Sequence, residues 1–172
     1  MWQCISSNRD ATTNAGTIID YAHHEVHSGS HYYIEGFTTL GNGAALYVGL
    51  WTPDSTKWAH FTWEIKSSGI LTTKLWEDAQ ISTGGVSVTP INNDRNSTKS
   101  SLLSINSAVT VLTSGSVISQ ASWGSRTAGG AHSREDEIIL KQDTVYLRGF
   151  ISGALSNIVS FKVVWYEHTN KA

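Results

Sequence analysis

The chain has 172 residues, of which 40% are hydrophobic and 15% are charged, and its formal net charge is −2. This length is ample for one domain with a hydrophobic core, and the low net charge excludes the strongly basic field typical of nucleic-acid-binding domains. Seven Trp, six Tyr and four Phe exclude a disordered chain, because disordered segments are poor in aromatic residues. The composition therefore predicts a compact β-rich domain that binds no nucleic acid.

The first segment, residues 1–16, has no hydrophobic periodicity and is predicted to be an extended N-terminal arm, with residues 17–172 forming the β-domain. It lacks the apolar run of a signal peptide, and no stretch of the chain approaches the roughly 18 apolar residues that span a bilayer. We therefore expect synthesis in a cytoplasm and no association with membranes. The single cysteine, Cys4, cannot form an internal disulfide.

A histidine cluster follows the arm, because His23, His24, His27 and His31 lie close together around Glu25. The spacing is one residue shorter than the H-E-x-x-H zinc motif, and the chain contains no His-x-His pair. If this segment were extended, His23, Glu25 and His27 would share one face and could chelate a cation. The alternative is that the histidines form hydrogen bonds between strands or across a subunit interface, and we predict no cofactor.

Short apolar or alternating runs recur from Thr17 onward and predict β-strands. The clearest is Trp58–Ile65, in which Phe61, Trp63 and Ile65 fall on one face, as a half-buried strand requires. The other predicted strands are Thr17–Asp20, Tyr32–Thr38, Ala44–Trp51, Ile70–Trp76, Val86–Pro90, Ala108–Leu112, Val117–Trp123, Glu137–Leu140, Thr144–Ile151 and Ile158–Glu167. About ten strands without a long amphipathic helix indicate a single-domain, all-β sandwich or barrel.

The polar stretch at residues 92–101 is long for a connection inside a compact domain. This stretch is rich in polar side chains that could hydrogen-bond with one another and hold the loop in one shape, namely Asn92, Asp94, Arg95 and Asn96. The alternative is that the loop is mobile. Arg95 is the predicted anchor, because its five donors can grip a carboxylate on a neighbouring strand or subunit.

No motif for catalysis is found. The carboxylates are scattered, no G-x-S-x-G nucleophile elbow occurs, and no glycine-rich loop is followed by the helix and lysine that bind phosphate. We therefore predict that the protein is not an enzyme.

The tryptophans divide into two predicted groups. Trp63 and Trp165 lie in apolar runs and are predicted core residues. Trp51 and Trp58 flank a short turn and are candidates for stacking on a glycan, although contacts in the core or between subunits are the alternative.

Four segments in order carry a family resemblance: AHHEVHSG at 22–29, NNDRNS at 92–97, the run at 137–148, and VWYE at 164–167. This order resembles a family of tailed-bacteriophage virion proteins encoded among the head genes. The resemblance implies a β-sandwich of jelly-roll type that acts as a capsid decoration, or cement, protein. It also implies a homotrimer bound to the major capsid protein on the outer surface of the virion.

On this interpretation, one set of residues is predicted to contact the capsid or other subunits: Trp2, Arg9, His23, His24, His27, Asn92, Asp94, Arg95 and Asn96. The first alternative is a phage tail or fibre adhesin that binds host glycans through Trp51 and Trp58. The second is a metal-dependent jelly-roll enzyme that uses His23, Glu25 and His27.

Overall fold

The computed structural model describes residues 21–124, 128–131 and 137–169. This part of the chain contains one short helix, α1 (Tyr21–His27), and fourteen strands, so the predicted all-β domain is confirmed. No helix among these residues is long and apolar enough to cross a membrane. The predicted arm with Trp2 and Arg9, and the predicted strand Thr17–Asp20, lie outside the described residues.

The strands, numbered in chain order, form two six-stranded antiparallel sheets and one small pair. The first sheet has the order β11 (Ala128–Ala131), β3 (Lys57–Ser67), β14 (Asn157–Thr169), β1 (His31–Leu40) and β7 (Ile91–Asn92), and β12 (Ile138–Ile139) also pairs with β3. The second sheet has the order β10 (Ser116–Trp123), β4 (Leu71–Glu77), β13 (Thr144–Ser152), β2 (Ala45–Thr52), β8 (Ser104–Ser107) and β6 (Val86–Ser87). The small pair consists of β5 (Gln80–Thr83) and β9 (Thr110–Thr113).

The strand order is that of a jelly roll. Strands β1 to β4 alternate between the two sheets, and the last two strands are inserted at the centre of each. Thus β14 lies between β1 and β3, and β13 lies between β2 and β4. Two antiparallel sheets connected in this way make a double-sheet jelly roll.

The main core lies between the two sheets. Phe61, Trp63 and Ile65 alternate along β3 and are almost completely buried, and Trp165 of β14 is fully buried, so the predicted core positions are confirmed. Phe150 of the second sheet stacks on a phenylalanine of the first, Phe161, with ring centroids 4.5 Å apart. Alternating side chains from both sheets therefore interdigitate as expected for a sandwich.

A second hydrophobic cluster covers the outer face of the second sheet. It contains Trp76 of β4 and Leu147 of β13, with Ile81 and Val111 of the β5–β9 pair packed against it. Trp51 lies partly buried in this cluster, and a side chain at Gly49 would overlap both its ring and Ile81. The central strands of the second sheet, β4, β13 and β2, are therefore largely buried on both faces, whereas its edge strands β10 and β6 are mostly exposed.

Five short elements were not predicted from the sequence, namely α1, β5, β7, β8 and β11. None is longer than seven residues, so hydrophobic periodicity has too few positions to reveal them. Helix α1 ends where Gly29 adopts a positive φ of 70°. A side chain there would also overlap Ser97.

An arginine is buried inside the sandwich. Arg148 of β13 is 1% exposed, and its guanidinium carbon lies 4.3 Å from the Trp63 ring centroid. Nη2 donates a hydrogen bond to Thr73 Oγ1 at 3.1 Å, but Nε and Nη1 have no hydrogen-bond partner. Burial lowers the pKa of Arg148 to about 9. The core thus contains a cation that is only partly compensated by an aromatic ring and one hydroxyl group.

We expect Arg148→Met to raise the free energy of unfolding by about 1–4 kcal/mol, because a similar volume is filled without desolvating a charge. Urea denaturation at pH 7 measures this change. Arg148→Ala is the matched variant and should be less stable than Arg148→Met, because it leaves a cavity. A large loss of stability in Arg148→Met would show that the cation–π contact and the bond to Thr73 outweigh the desolvation.

Candidate interaction surface

The outer face of the first sheet has different side chains at its two ends. Side chains that point outward from β1, β14 and β3 form cross-strand rows in the antiparallel register. At one end the rows are covered by α1 and are rich in histidine. At the other end they are open and carry charged and apolar side chains.

The open rows form a shallow groove. Glu35, Lys162 and Glu64 lie side by side on three adjacent strands, and Lys66 occupies the next row of β3. The Lys66 Nζ lies 2.7 Å from Glu64 Oε1, and this hydrogen bond holds the pKa of Glu64 below its ordinary value. The Nζ of Lys162 lies 4.3 Å from the ring centroid of Tyr33. With two acidic and two basic side chains, the groove carries no net charge.

The groove has a volume of about 410 Å³, and an aromatic ring forms part of its wall. This ring belongs to Phe37, which points outward from β1 and is 74% exposed. The residues lining the groove are Glu35, Gly36, Phe37, Glu64, Lys66, Ser160, Phe161 and Lys162.

Further exposed apolar side chains lie at the same end of the sandwich. Leu155, in the turn between β13 and β14, is 84% exposed, and Ile158 and Ile70 are 44% and 43% exposed. Two backbone hydrogen bonds of 2.9 Å tie the turns together, from Ser68 N to Ile158 O and from Gly153 N to Ile70 O. We call Phe37, Ile70, Leu155 and Ile158 the apolar end. Exposed apolar side chains indicate a protein–protein contact site where they form a contiguous patch, whereas single ones are normal on protein surfaces.

The opposite end of the same face contains a stack of aromatic rings. The ring centroids of His168 and His60 are 4.3 Å apart, those of His60 and Tyr166 are 4.5 Å apart, and His31 lies parallel to Tyr166. Glu137 accepts hydrogen bonds from Tyr166 Oη at 2.8 Å and from His60 Nδ1 at 2.9 Å. Its carboxylate therefore fixes the orientation of both rings.

Helix α1 packs against β1 and β14 over this stack, and its Glu25 side chain is buried. The pKa of His60 is lowered, mainly because the ring is buried. The hydrogen bond to Glu137 opposes this effect, and so do the charges of Glu137 and Glu25, whereas His168 lowers the pKa further. The pKa of His31 is also lowered, first by burial and then by Lys162, while Glu25 raises it. Neutral His60 donates from Nδ1 to Glu137, which leaves its buried Nε2 without a hydrogen-bond partner.

We expect the protein to lose stability as the pH falls below about 6.5. The pKa of His60 is lower in the folded state than in the unfolded chain, so the unfolded state takes up the proton first and stability falls with pH. In His60→Asn an amide keeps the donor to Glu137 but does not titrate. The decrease in melting temperature between pH 7.5 and pH 5 should therefore be smaller in His60→Asn than in the wild type. Equal decreases in the two proteins would contradict this assignment.

The predicted polar loop is held by hydrogen bonds, and within the described chain Arg95 does not anchor it, whereas a contact of Arg95 with another subunit stays a prediction. Arg95 is exposed and makes no hydrogen bond or ion pair with the residues that the structure describes. The anchor is the buried Asn92, whose Nδ2 donates to Gly29 O at 2.9 Å and to Lys99 O at 3.2 Å. Its Oδ1 accepts from Asp94 N, which shows that a side chain able both to donate and to accept suits this position better than a cation.

Asn96 and Asp94 belong to the same loop network, because Asp94 Oδ1 accepts a hydrogen bond from Asn96 N at 3.0 Å. The sequence analysis missed Glu167, which is 3% exposed at this end of the sandwich. Its carboxylate accepts hydrogen bonds from Ser101 Oγ, Leu102 N and Trp165 Nε1 at 2.6–3.0 Å. These contacts fasten the polar loop to β14.

The histidine segment is helical, which changes the predicted chelate. His23 and His27 are exposed on the same side of α1, and His24 is exposed beside them, whereas Glu25 is buried against the sheet. The extended arrangement that would place His23, Glu25 and His27 on one face is therefore wrong for this segment. Within the described ranges, no group of three or more His, Cys, Asp or Glu side chains is arranged to hold a metal ion.

The two candidate glycan-stacking residues lie apart. Trp51 belongs to the second cluster under β5, on the outer face of the second sheet. Trp58 lies on the outer face of the first sheet, paired with His168 and partly buried. The structure therefore does not bring them together into one stacking platform.

The apolar end was not predicted from the sequence, although β1 contains a signal for it. Tyr32, Ile34 and Leu40 fall on the buried face, whereas Phe37 is out of phase with them and shares the outward face with Glu35. An aromatic side chain on the polar phase of a strand is the pattern that could have identified it.

The described residues thus define a jelly-roll domain with an exposed apolar end beside an electrically neutral groove. Comparison with known proteins found no match among family models, curated proteins or solved structures.

Proposed function

We propose that the protein is a non-enzymatic capsid decoration, or cement, protein of a tailed bacteriophage. It binds the outer surface of the head lattice as a homotrimer, with the major capsid protein as its partner, and stabilises the shell. The observation that carries this proposal is the apolar end, where Phe37 and Leu155 are 74% and 84% exposed. The family resemblance of the four sequence segments supplies the identity of the partner.

The chemistry of this surface suits a protein partner. Covering a phenylalanine or leucine side chain contributes about 1.5–3 kcal/mol. The adjoining groove carries equal numbers of acidic and basic side chains, so a partner meets no strong repulsive field. The charged side chains of the groove would then determine the orientation of the bound partner more than the affinity for it.

The scaffold supports such a contact. Phe37 and Ile158 of the apolar end lie in the paired strands β1 and β14, and Ile70 and Leu155 lie in turns that join strands of the two sheets. Backbone hydrogen bonds connect the turn with Ile70 to β14 and to the turn with Leu155. A surface on rigid elements loses little conformational entropy when it binds. Decoration of a shell requires this property, because each contact is small and is repeated over the lattice.

The adhesin alternative has less support. It requires exposed tryptophans, but Trp51 packs across Gly49 beside Ile81, and Trp58 is partly buried. Loss of host adsorption in Trp58→Ala, together with a positive glycan array, would favour it over the capsid proposal.

We expect the purified protein to bind heads isolated from a phage that lacks this chain, and the double variant Phe37→Ser, Leu155→Ser to bind them at least about tenfold more weakly. Co-sedimentation with labelled protein measures the affinity and the number of copies per head. Both side chains are largely exposed, so the variant should keep its fold.

Leu112→Ser is the matched control, because Leu112 is 69% exposed on β9, away from the apolar end. It should bind as the wild type does. Equal binding by the double variant would place the contact elsewhere on the protein, and failure of the wild type to bind heads would overturn the proposed function.

We also expect light scattering of the purified protein to give the mass of a trimer, because decoration proteins of this type occupy threefold positions. A monomer at high micromolar concentration, or a stable dimer, would contradict the trimer.

A further inference from the structure

Two histidines on the exposed side of α1 point at each other. His23 and His27 are four residues apart, so they lie on adjacent turns of the same helix face. Their Nε2 atoms are 3.0 Å apart, and their rings are nearly perpendicular, with an interplanar angle of 79°. Both side chains are exposed to solvent.

The distance between the two nitrogens is also that of a chelate. A first-row transition metal binds imidazole nitrogen at about 2.0–2.1 Å, so two ligands at an angle of about 90–109° are separated by about 2.8–3.4 Å. The observed separation of 3.0 Å lies within this range. We propose that His23 and His27 form a bidentate site for a divalent transition metal such as zinc.

The donor set determines the class of metal. Imidazole suits Zn²⁺, Ni²⁺ and Cu²⁺, whereas Ca²⁺ and Mg²⁺ require oxygen ligands. In the metal-free protein, an N–H group of one ring donates to the unprotonated nitrogen of the other. Metal binding requires the donor ring to change tautomer, so that its proton moves from Nε2 to Nδ1, and the Nε2 of each neutral ring then donates one lone pair to the metal.

The site is open. Glu25 is buried against the sheet, and no third ligand is grouped with the pair among the described residues. The remaining coordination positions are left to water or to a side chain of another protein molecule. This inference does not depend on the proposed capsid function.

Binding should also stabilise the folded protein. Helix α1 has seven residues, and a helix of this length is unstable in isolation. A metal that joins two adjacent turns holds the helix in place over the His31 and His60 rings. A ligand that binds only the folded state raises the melting temperature by mass action.

Calorimetric titration of the full chain with zinc chloride tests the proposal. We expect one zinc ion per wild-type chain, and at least about tenfold weaker binding in His23→Gln and in His27→Gln. His24→Gln is the matched control, because it removes an exposed histidine of the same helix that is not part of the pair. Zinc should raise the melting temperature of the wild type and of His24→Gln, and have little effect on the other two variants.

Circular dichroism without zinc establishes that all four proteins are folded. Absence of zinc binding by the wild type would overturn the proposal. Binding of equal strength and stoichiometry in His27→Gln would also overturn it, because the metal would then be held by other side chains.

Discussion

The organisation of the molecule depends on the burial of the central strands of the second sheet, β2, β13 and β4, on both faces. Its inner face forms the main core with the first sheet, and its outer face is covered by the β5–β9 pair through Trp76, Leu147 and Ile81. The central strands of the second sheet therefore have little surface left for a partner, although its edge strand β10 is exposed. The outer face of the first sheet is covered by α1 at one end only, so the outward side chains at its other end are available for recognition. The position of the candidate surface follows from this asymmetry.

The two ends of the first sheet's outer face have different chemistry. At one end of this face, the Glu137 carboxylate accepts hydrogen bonds from Tyr166 and His60 of the aromatic stack. At the same end of the sandwich, Asn92 and Glu167 fasten the polar loop by hydrogen bonds. At the other end, Phe37 and Leu155 have no such cover. Internal hydrogen bonding satisfies the polar end, whereas the apolar end gains free energy only by contact with another surface. The second end is therefore the better docking site.

Much of the fold could be predicted from the sequence, because long strands with one buried face show a clear period of two. Residues 58–65 are the best example, since every predicted core position in that run is buried. The β5–β9 pair could not be predicted, because its strands are short, lie far apart in the sequence and pack on Leu147, which is distant in sequence from both. Helix α1 was missed because seven residues give no measurable helical periodicity.

The candidate site was less predictable than the fold. The polar residues at 92–96 were identified from composition, but which of them is the anchor depends on the position of Gly29 and Lys99 in space. Arg148 is an ordinary strand residue in the sequence, and its burial beside Trp63 follows only from the packing of the two sheets. Contacts between residues distant in the chain leave no local pattern.

The central position of the last two strands has a kinetic consequence. Strand β14 pairs with β1 and β3, and β13 pairs with β2 and β4, so the middle of each sheet joins segments more than sixty residues apart. Closing such long loops costs entropy before the contacts compensate for it, and proteins dominated by non-local pairing fold in milliseconds to seconds. Until these strands pair, β1 and β3 have unpaired edges that can pair with other chains. Correct folding of the chain therefore competes with aggregation, and its yield depends on how fast β13 and β14 pair with their neighbouring strands.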